Sequence, residues 1–419
     1  MSNGEGCFAY RQGALHCEAV PLADIAARAG TPCYVYSTRA VLERYRAYDE
    51  ALGDLPHRVC YSVKANANLG ILALLARAGA GFDIVSGGEL YRVLKAGGDP
   101  AGVVFSGVGK TAAEIEYALG QGIHSFSCES EAELALVDAL AARRGVTARG
   151  ALRVNPDVDA ATHPYISTGL RTHKFGVEIE AAFDVYRRAG ALGHLRLEGV
   201  SCHIGSQLLD AAPILEALDR LLELVGRLRA AGLPIRHLDL GGGLGVAYEA
   251  ETQAPGIDDF IAGVRGRVER RDLLLMLEPG RSIVAEAGVL LTRVLYRKRT
   301  GSKEFVVVDA AMNDLIRPSL YRSHHRIVPL REAPERGTVV ADVVGPVCET
   351  GDFLARDREM ANVLPGDLLA VCTAGAYGFV LSSNYNARPR AAEALVEESS
   401  WRVVRARETY EDLVRGESA

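Results

Sequence analysis

LEGVSCHIGSQLLDAAPILEALDRLLELVGRLRAAGLPIRHLDLGGGLG, residues 197–245, opens with a short strand-like run that ends in His203. A long stretch, 211–232, then repeats leucine and alanine at helical spacing and stops at Gly232, the residue type expected just past a helix C-terminus. A second short run, IRHLDL at 235–240, leads into three glycines. Strand, helix and strand in this order make a βα unit of a parallel sheet.

The same alternation extends in both directions. Candidate strands are VCYSV (59–63), GFDIV (81–85), GVVFS (102–106), IHSFS (123–127), GALRV (150–154), LEGVSCH (197–203), IRHLDL (235–240) and LLLMLE (273–278). Between them lie helical stretches such as GILALLARAG (70–79), TAAEIEYALGQG (111–122) and SEAELALVDALAARRG (130–145), each ending in glycine. Eight strands alternating with helices predict an α/β fold, a (β/α)8 TIM barrel over residues 38–285. A doubly wound open sheet is the competing architecture, since periodicity does not distinguish the two. After residue 285 the rhythm changes to VLLTRVLYR (289–297), EFVVVDA (304–310), TVVADVVG (338–345) and DLLAVC (367–372), strand-like runs with little helix between them. FAYRQGALHCE (8–18) and CYVYS (33–37) also read as extended, so residues 1–37 and 286–419 are expected to form a discontinuous, mostly β domain.

Composition narrows the function classes. With 48% apolar and 24% charged residues over 419 positions, the chain can bury a large core, which excludes disorder as its main state. Lys and Arg total 47 against 53 Asp and Glu, without a basic block, so the electrostatic footprint of a nucleic-acid binder is missing. The eight cysteines are scattered and no two form a Cys-x-x-Cys pair. A reducing compartment fits that pattern. With no basic start leading into an apolar run and no stretch of 18 apolar residues, the expectation is a cytoplasmic protein that acts on small molecules without a membrane partner.

In a parallel barrel, reactive groups gather at the C-terminal ends of the strands. Lys64 ends the first run, His203 the sixth and Glu278 the eighth, while Gly241, Gly242 and Gly243 follow the seventh. Taken singly, these are a loop lysine, a core histidine, a partner for Arg281 and a tight turn. Together they form a site: glycines let backbone N–H groups approach a phosphate, a desolvated lysine is an imine-forming nucleophile, and a carboxylate can hold a protonated ring nitrogen. That set suits pyridoxal 5'-phosphate. Asp83 in FDIVSGGEL either orients His203 or caps the following helix. His324 and His325 have no third ligand at metal spacing, so they read as surface or interface histidines and no metal is expected.

Nine motifs in order, YSVKAN (61–66), FDIVSGGEL (82–90), HPYISTGLRTHKFG (163–176), CHIGSQ (202–207), DLGGGLG (239–245), EPGRSIV (278–284), RPSLY (317–321), GPVCETGD (345–352) and AGAYG (374–378), carry a resemblance over nearly the whole chain. The sequence resembles the diaminopimelate decarboxylases, fold-type III pyridoxal-phosphate enzymes related to the ornithine and arginine decarboxylases. The resemblance implies an alanine-racemase-type barrel with a β domain, and decarboxylation of meso-2,6-diaminopimelate to L-lysine. Lys64 is then the Schiff-base lysine, His203 the residue stacked on the ring and Glu278 the partner of the ring nitrogen. Gly242, Gly243, Glu278, Pro279, Gly280 and Arg281 supply the phosphate-binding backbone, with Ser206 as helper. Arg281, Arg317, Tyr321 and Glu349 become substrate contacts, and Tyr377 touches cofactor and substrate. Cys348 becomes the acid that reprotonates Cα. Homodimers are implied, with the Cys348–Glu349 segment serving the partner's site. Alternatives are a decarboxylase of ornithine, arginine or lysine on the same fold, and a non-catalytic pyridoxal-phosphate carrier. The second would have no use for residues 286–419.

Overall fold

The computed structural model describes residues 6–159 and 174–418. Eight parallel strands close on themselves: β1 (His57–Ser62), β2 (Gly81–Ile84), β3 (Val103–Phe105), β4 (Ser125–Cys128), β5 (Ala148–Asn155), β6 (Leu195–Ser201), β7 (His237–Asp239) and β8 (Leu274–Leu277). Each pairs with the next in sequence, and β8 pairs back onto β1 through Leu275–His57, Met276–Arg58 and Leu277–Val59. That last pairing excludes the open sheet. All eight predicted strands are present, with ends displaced by at most two residues.

The strands are covered on both faces, which is why they read as apolar runs without alternation. Inside, Cys60, Val104 and Met276 pack together, while on the opposite face of the strands the Phe105 and Phe126 rings stack at 6.1 Å. Outside, the helices bury one stripe each: Gly87–Lys95 buries Leu90 and Val93 and exposes Gly88, Tyr91 and Lys95. Their starts are capped by Ser86, by Ser130 and by a Thr111–Glu114 capping box, and their ends by Gly122 and Gly145 in the left-handed region.

The chain divides into two compact units, one holding residues 44–246 and 253–282, the other 1–43, 247–252 and 283–419. The division falls inside the helix Thr38–Leu52 and assigns 247–252 to the second unit. That unit is mostly β. Strand Cys33–Ser37 lies between Gly288–Thr300, antiparallel, and Ala392–Glu397, parallel, so both ends of the chain enter one sheet. Its core packs Leu22, Ile25, Val35, Leu291 and Val396, each worth about 1.5–3 kcal/mol when fully buried. A hairpin, Phe8–Arg11 with Ala14–Cys17, precedes a helix, Leu22–Ala29, that the extended reading of this region did not foresee.

Two buried histidines make barrel stability sensitive to acid. His237 on β7 and His124 before β4 meet edge to face at 5.6 Å. Burial first, then Arg58 and Arg149, pulls the His124 imidazole down to about 4, and burial, then His124 and Arg149, pulls His237 down to about 3. Both are neutral in the folded barrel while the unfolded chain takes up protons below about pH 6.5, so each removes stability as pH falls from 6.5 toward its folded value. Buried carboxyls raised in pKa, Asp239 and Asp314 at about 6, act in the opposite sense, so the informative quantity is a difference. Wild type should lose about 2 kcal/mol more than a His237→Gln variant between pH 7 and pH 5, measured by denaturant unfolding. Equal losses would refute the assignment.

Candidate active site

The barrel places its reactive side chains at the strand C-termini. Ser62 ends β1, and the 3-10 turn Val63–Ala65 that follows carries Lys64. His203 stands two residues beyond β6, Gly241–Gly243 follow β7 and Glu278 directly follows β8. Lys64, Ser106, Arg153, Phe175, His203 and Glu278 line a cavity of about 400 Å3, the size range of small-ligand sites.

Lys64 Nζ donates to Asp83 Oδ2 at 2.7 Å. Asp83 is fully buried on β2, and Ser62 Oγ also lies 2.7 Å from the same oxygen. This corrects the expectation for Asp83: it serves Lys64 rather than His203, and the following helix is capped by Ser86. His203 Nδ1 accepts the backbone N–H of Gly242 at 3.3 Å, which places the neutral ring's proton on Nε2. Burial, reinforced by Arg153 and Lys64, keeps that imidazole well below its ordinary pKa. Arg153 is itself fixed: it donates to Glu129 at 2.8 Å and to the His203 carbonyl at 3.3 Å, and lies 4.7 Å over the Phe175 ring. Glu129 in turn accepts the Gly176 N–H at 2.7 Å.

Glu278 is buried, accepts Ser106 Oγ at 3.0 Å and feels the charge of Asp239, the last residue of β7. Burial, then the Asp239 and Asp83 charges, raises its pKa well above that of an ordinary carboxylate. Beside it the glycine turn is steric necessity. A Cβ on Gly242 would stand 2.2 Å from the Glu278 carbonyl oxygen, and one on Gly243, at φ +118°, would stand 2.5 Å from Gly205 O. The Pro279 carbonyl accepts Ser62 N at 3.0 Å, which ties the Glu278–Pro279–Gly280 turn to the one bearing Lys64. Arg281 bonds Ser206 Oγ at 3.0 Å, so it is this serine, rather than Glu278, that occupies its guanidinium.

This donor set fits pyridoxal phosphate. A bare glycine turn with Ser206 and Arg281 nearby suits a phosphate, Lys64 offers an amine, and Asp83 Oδ1 is a buried acceptor with no protein hydrogen bond. Ser62, Ser106, Asp239, Glu129 and Arg153 were missed in the sequence. Their signal was there: polar residues at the C-terminal ends of otherwise apolar strands.

The β unit holds the remaining candidates. Arg317 and Tyr321 share the short helix Arg317–Tyr321, where the buried Arg317 guanidinium lies 4.5 Å over the Tyr248 ring and donates to its hydroxyl at 2.5 Å and to Ser323 Oγ at 3.2 Å. Ser319 Oγ donates to Gly351 O at 2.5 Å, joining this helix to the turn that carries Cys348 and Glu349. Both of those are exposed, and Cys348 N donates to Asn386 Oδ1 at 2.8 Å. Tyr377 is half-buried at φ +55°. His325 departs from its surface reading: it is fully buried, 2.9 Å from Cys372 O and edge-on to Tyr248 at 5.3 Å. Among the described residues no group of three His, Cys, Asp or Glu could hold a metal. Residues 163–173 of the HPYISTGLRTHKFG motif lie outside the described residues.

The family model for the pyridoxal binding domain of pyridoxal-dependent decarboxylases matches residues 38–285. A diaminopimelate decarboxylase of Pseudomonas aeruginosa is 59% identical over 414 residues, covering 98% of each chain. Among solved structures, diaminopimelate decarboxylase from Helicobacter pylori, complexed with L-lysine, superposes with TM-score 0.91 at 43% identity, covering 94% of this chain and 98% of that one. The M. jannaschii enzyme, also in complex with L-lysine, gives TM-score 0.95 at 36% identity, covering 100% and 99%.

Proposed function

The chain belongs to the diaminopimelate decarboxylase family of pyridoxal-dependent decarboxylases, and from that membership we propose how its own residues divide the work. Its reaction is decarboxylation of diaminopimelate to L-lysine and carbon dioxide. Bound pyridoxal phosphate supplies an electron sink for the pair left on Cα when carbon dioxide departs. Lys64 is the covalent anchor, with Asp83 aiming its amine. The N–H groups around Gly242 and Gly243, with Ser206 and Arg281, hold the phosphate. His203 packs as a neutral ring, so it adds no charge that would compete with Lys64. Glu278 opposes the charge of the ring nitrogen and keeps it protonated.

The β unit supplies specificity and the final proton. Cys348 delivers a proton to Cα from its thiol, acting as a positioned acid. Glu349 pairs with the distal ammonium, and Arg281 or Arg317 grips the distal carboxylate bidentately. Tyr321 and Tyr377 line the approach. Exposure of Cys348 and Glu349 in the single chain supports a homodimer in which each copy completes the other's site. Among the described residues no helix is long and apolar enough to cross a membrane, and all eight cysteines are free, which supports a cytoplasmic location.

The cavity that gathers Lys64, His203 and Glu278 carries this reading. Carbon dioxide release from the holoenzyme should be rapid with meso-diaminopimelate and at least ~10^3-fold slower in kcat/KM with lysine, ornithine or arginine, which leave the arginine unpaired. Faster turnover of ornithine or arginine would overturn the substrate assignment. A Cys348→Ala variant should lose about 10^2-fold in kcat with meso-diaminopimelate, and an unchanged rate would remove that role.

A further inference from the structure

Glu278 lines the cavity, and Asp239 stands behind it. Strands β7 and β8 pair Asp239 with Met276, and the Glu278 N–H donates to Gly241 O at 2.7 Å, so the two backbones are locked side by side where the strands end. Both carboxyls are buried, at 2% and 8% exposure, at the ends of two paired strands. Two carboxyls held side by side away from water do not both ionise, so the pair keeps one proton. The surroundings decide where it sits. Asp239 accepts the Gly241 N–H at 2.9 Å, which favours its anion. Glu278 therefore holds the proton.

We propose that Asp239 is a positioning residue for the decarboxylation: from the neighbouring strand its charge keeps one proton at the face that Glu278 turns to the cavity. This rests on the reading of Glu278 as partner of the ring nitrogen. The other groups facing the pair do not replace Asp239. Cys60 on β1 and Cys202 after β6 are thiols that burial keeps neutral. The Lys64 ammonium is engaged by Asp83 at 2.7 Å. Asp83 adds a second negative charge, which raises proton affinity in the same direction as Asp239 but acts more weakly on Glu278.

The consequence is directional. Removing the Asp239 charge lowers the proton affinity of the whole locus, so its proton is lost at lower pH. In Asp239→Asn holoenzyme loaded with 15N-labelled pyridoxal phosphate, the nitrogen resonance should report loss of the ring proton at least about one pH unit below wild type. The alkaline limb of kcat should move with it while KM stays within about twofold. Glu278→Gln, read in parallel, separates the two claims. If it leaves the resonance and kcat unchanged, the reading of Glu278 fails and this proposal falls with it. If Glu278→Gln moves both and Asp239→Asn titrates within about 0.3 units of wild type, only the role of Asp239 is lost. Should Asp239→Asn not fold, Asp239→Glu displaces the same charge by one methylene, and wild-type titration of that variant would equally overturn the proposal.

Discussion

Replacing Lys64 by alanine is expected to lower kcat by at least ~10^3-fold and to release the cofactor on dialysis, because the covalent anchor and the nucleophile are the same nitrogen. Borohydride treatment of wild-type holoenzyme should add the cofactor's mass to the peptide containing Lys64, and that adduct should vanish in the variant. The substitution also has a structural cost. Asp83 is fully buried, and Lys64 Nζ at 2.7 Å is its cation, with Ser62 as its other hydrogen-bond partner. Stranding that carboxylate should cost about 1–3 kcal/mol, toward the lower end because the lysine side chain is 33% exposed and its charge partly screened. Lys64→Arg separates the two effects. It keeps a cation beside Asp83, so stability should largely return, but a guanidinium stays protonated and cannot take the place of the amine. A borohydride-stable adduct persisting in either variant would place the anchor elsewhere.

How much of this could be read in the sequence follows from which forces are local. The eight strands and their helices were legible because period and glycine stops are written in neighbouring residues: Gly122 and Gly145 cap their helices where the reading put them. The positions of Lys64, His203 and Glu278 at strand ends were equally legible, since the barrel's geometry delivers every strand's C-terminus to one face. Partnerships across strands were not. Asp83 pairs with a lysine 19 residues away and Asp239 with a glutamate 39 residues on, through closures that only the folded ring supplies. Asp83 read locally as a cap or a histidine partner because nothing in FDIVSGGEL reveals that β1 lies beside β2 with Ser62 opposite Asp83. His325 failed for the same reason: a His-His pair looks exposed until Tyr248, 77 residues earlier, is found packed on it.

Gly242→Ala should raise the cofactor dissociation constant by roughly 10^3-fold, the second large effect expected here. The methyl carbon would stand 2.2 Å from the Glu278 carbonyl oxygen and 3.0 Å from its carbon, a backbone contact that no rotamer relieves. The strands must part, and whatever separates Gly242 from Glu278 also moves the Gly242 N–H off His203 Nδ1, bonded at 3.3 Å. Backbone strain of about 1–3 kcal/mol, added to one or two misplaced N–H bonds to a phosphate at about 1.5–3 kcal/mol each, amounts to some 4 kcal/mol. That is the stated factor, at 1.4 kcal/mol per decade. Equilibrium dialysis against pyridoxal phosphate measures it. Gly266→Ala is the control: it lies in the helix Ile257–Val268, where an added Cβ meets nothing within 4 Å, and should leave cofactor affinity unchanged. If the two variants bind cofactor alike, the turn after β7 is not the phosphate cradle, and the assignment of Gly242, Gly243, Ser206 and Arg281 fails together.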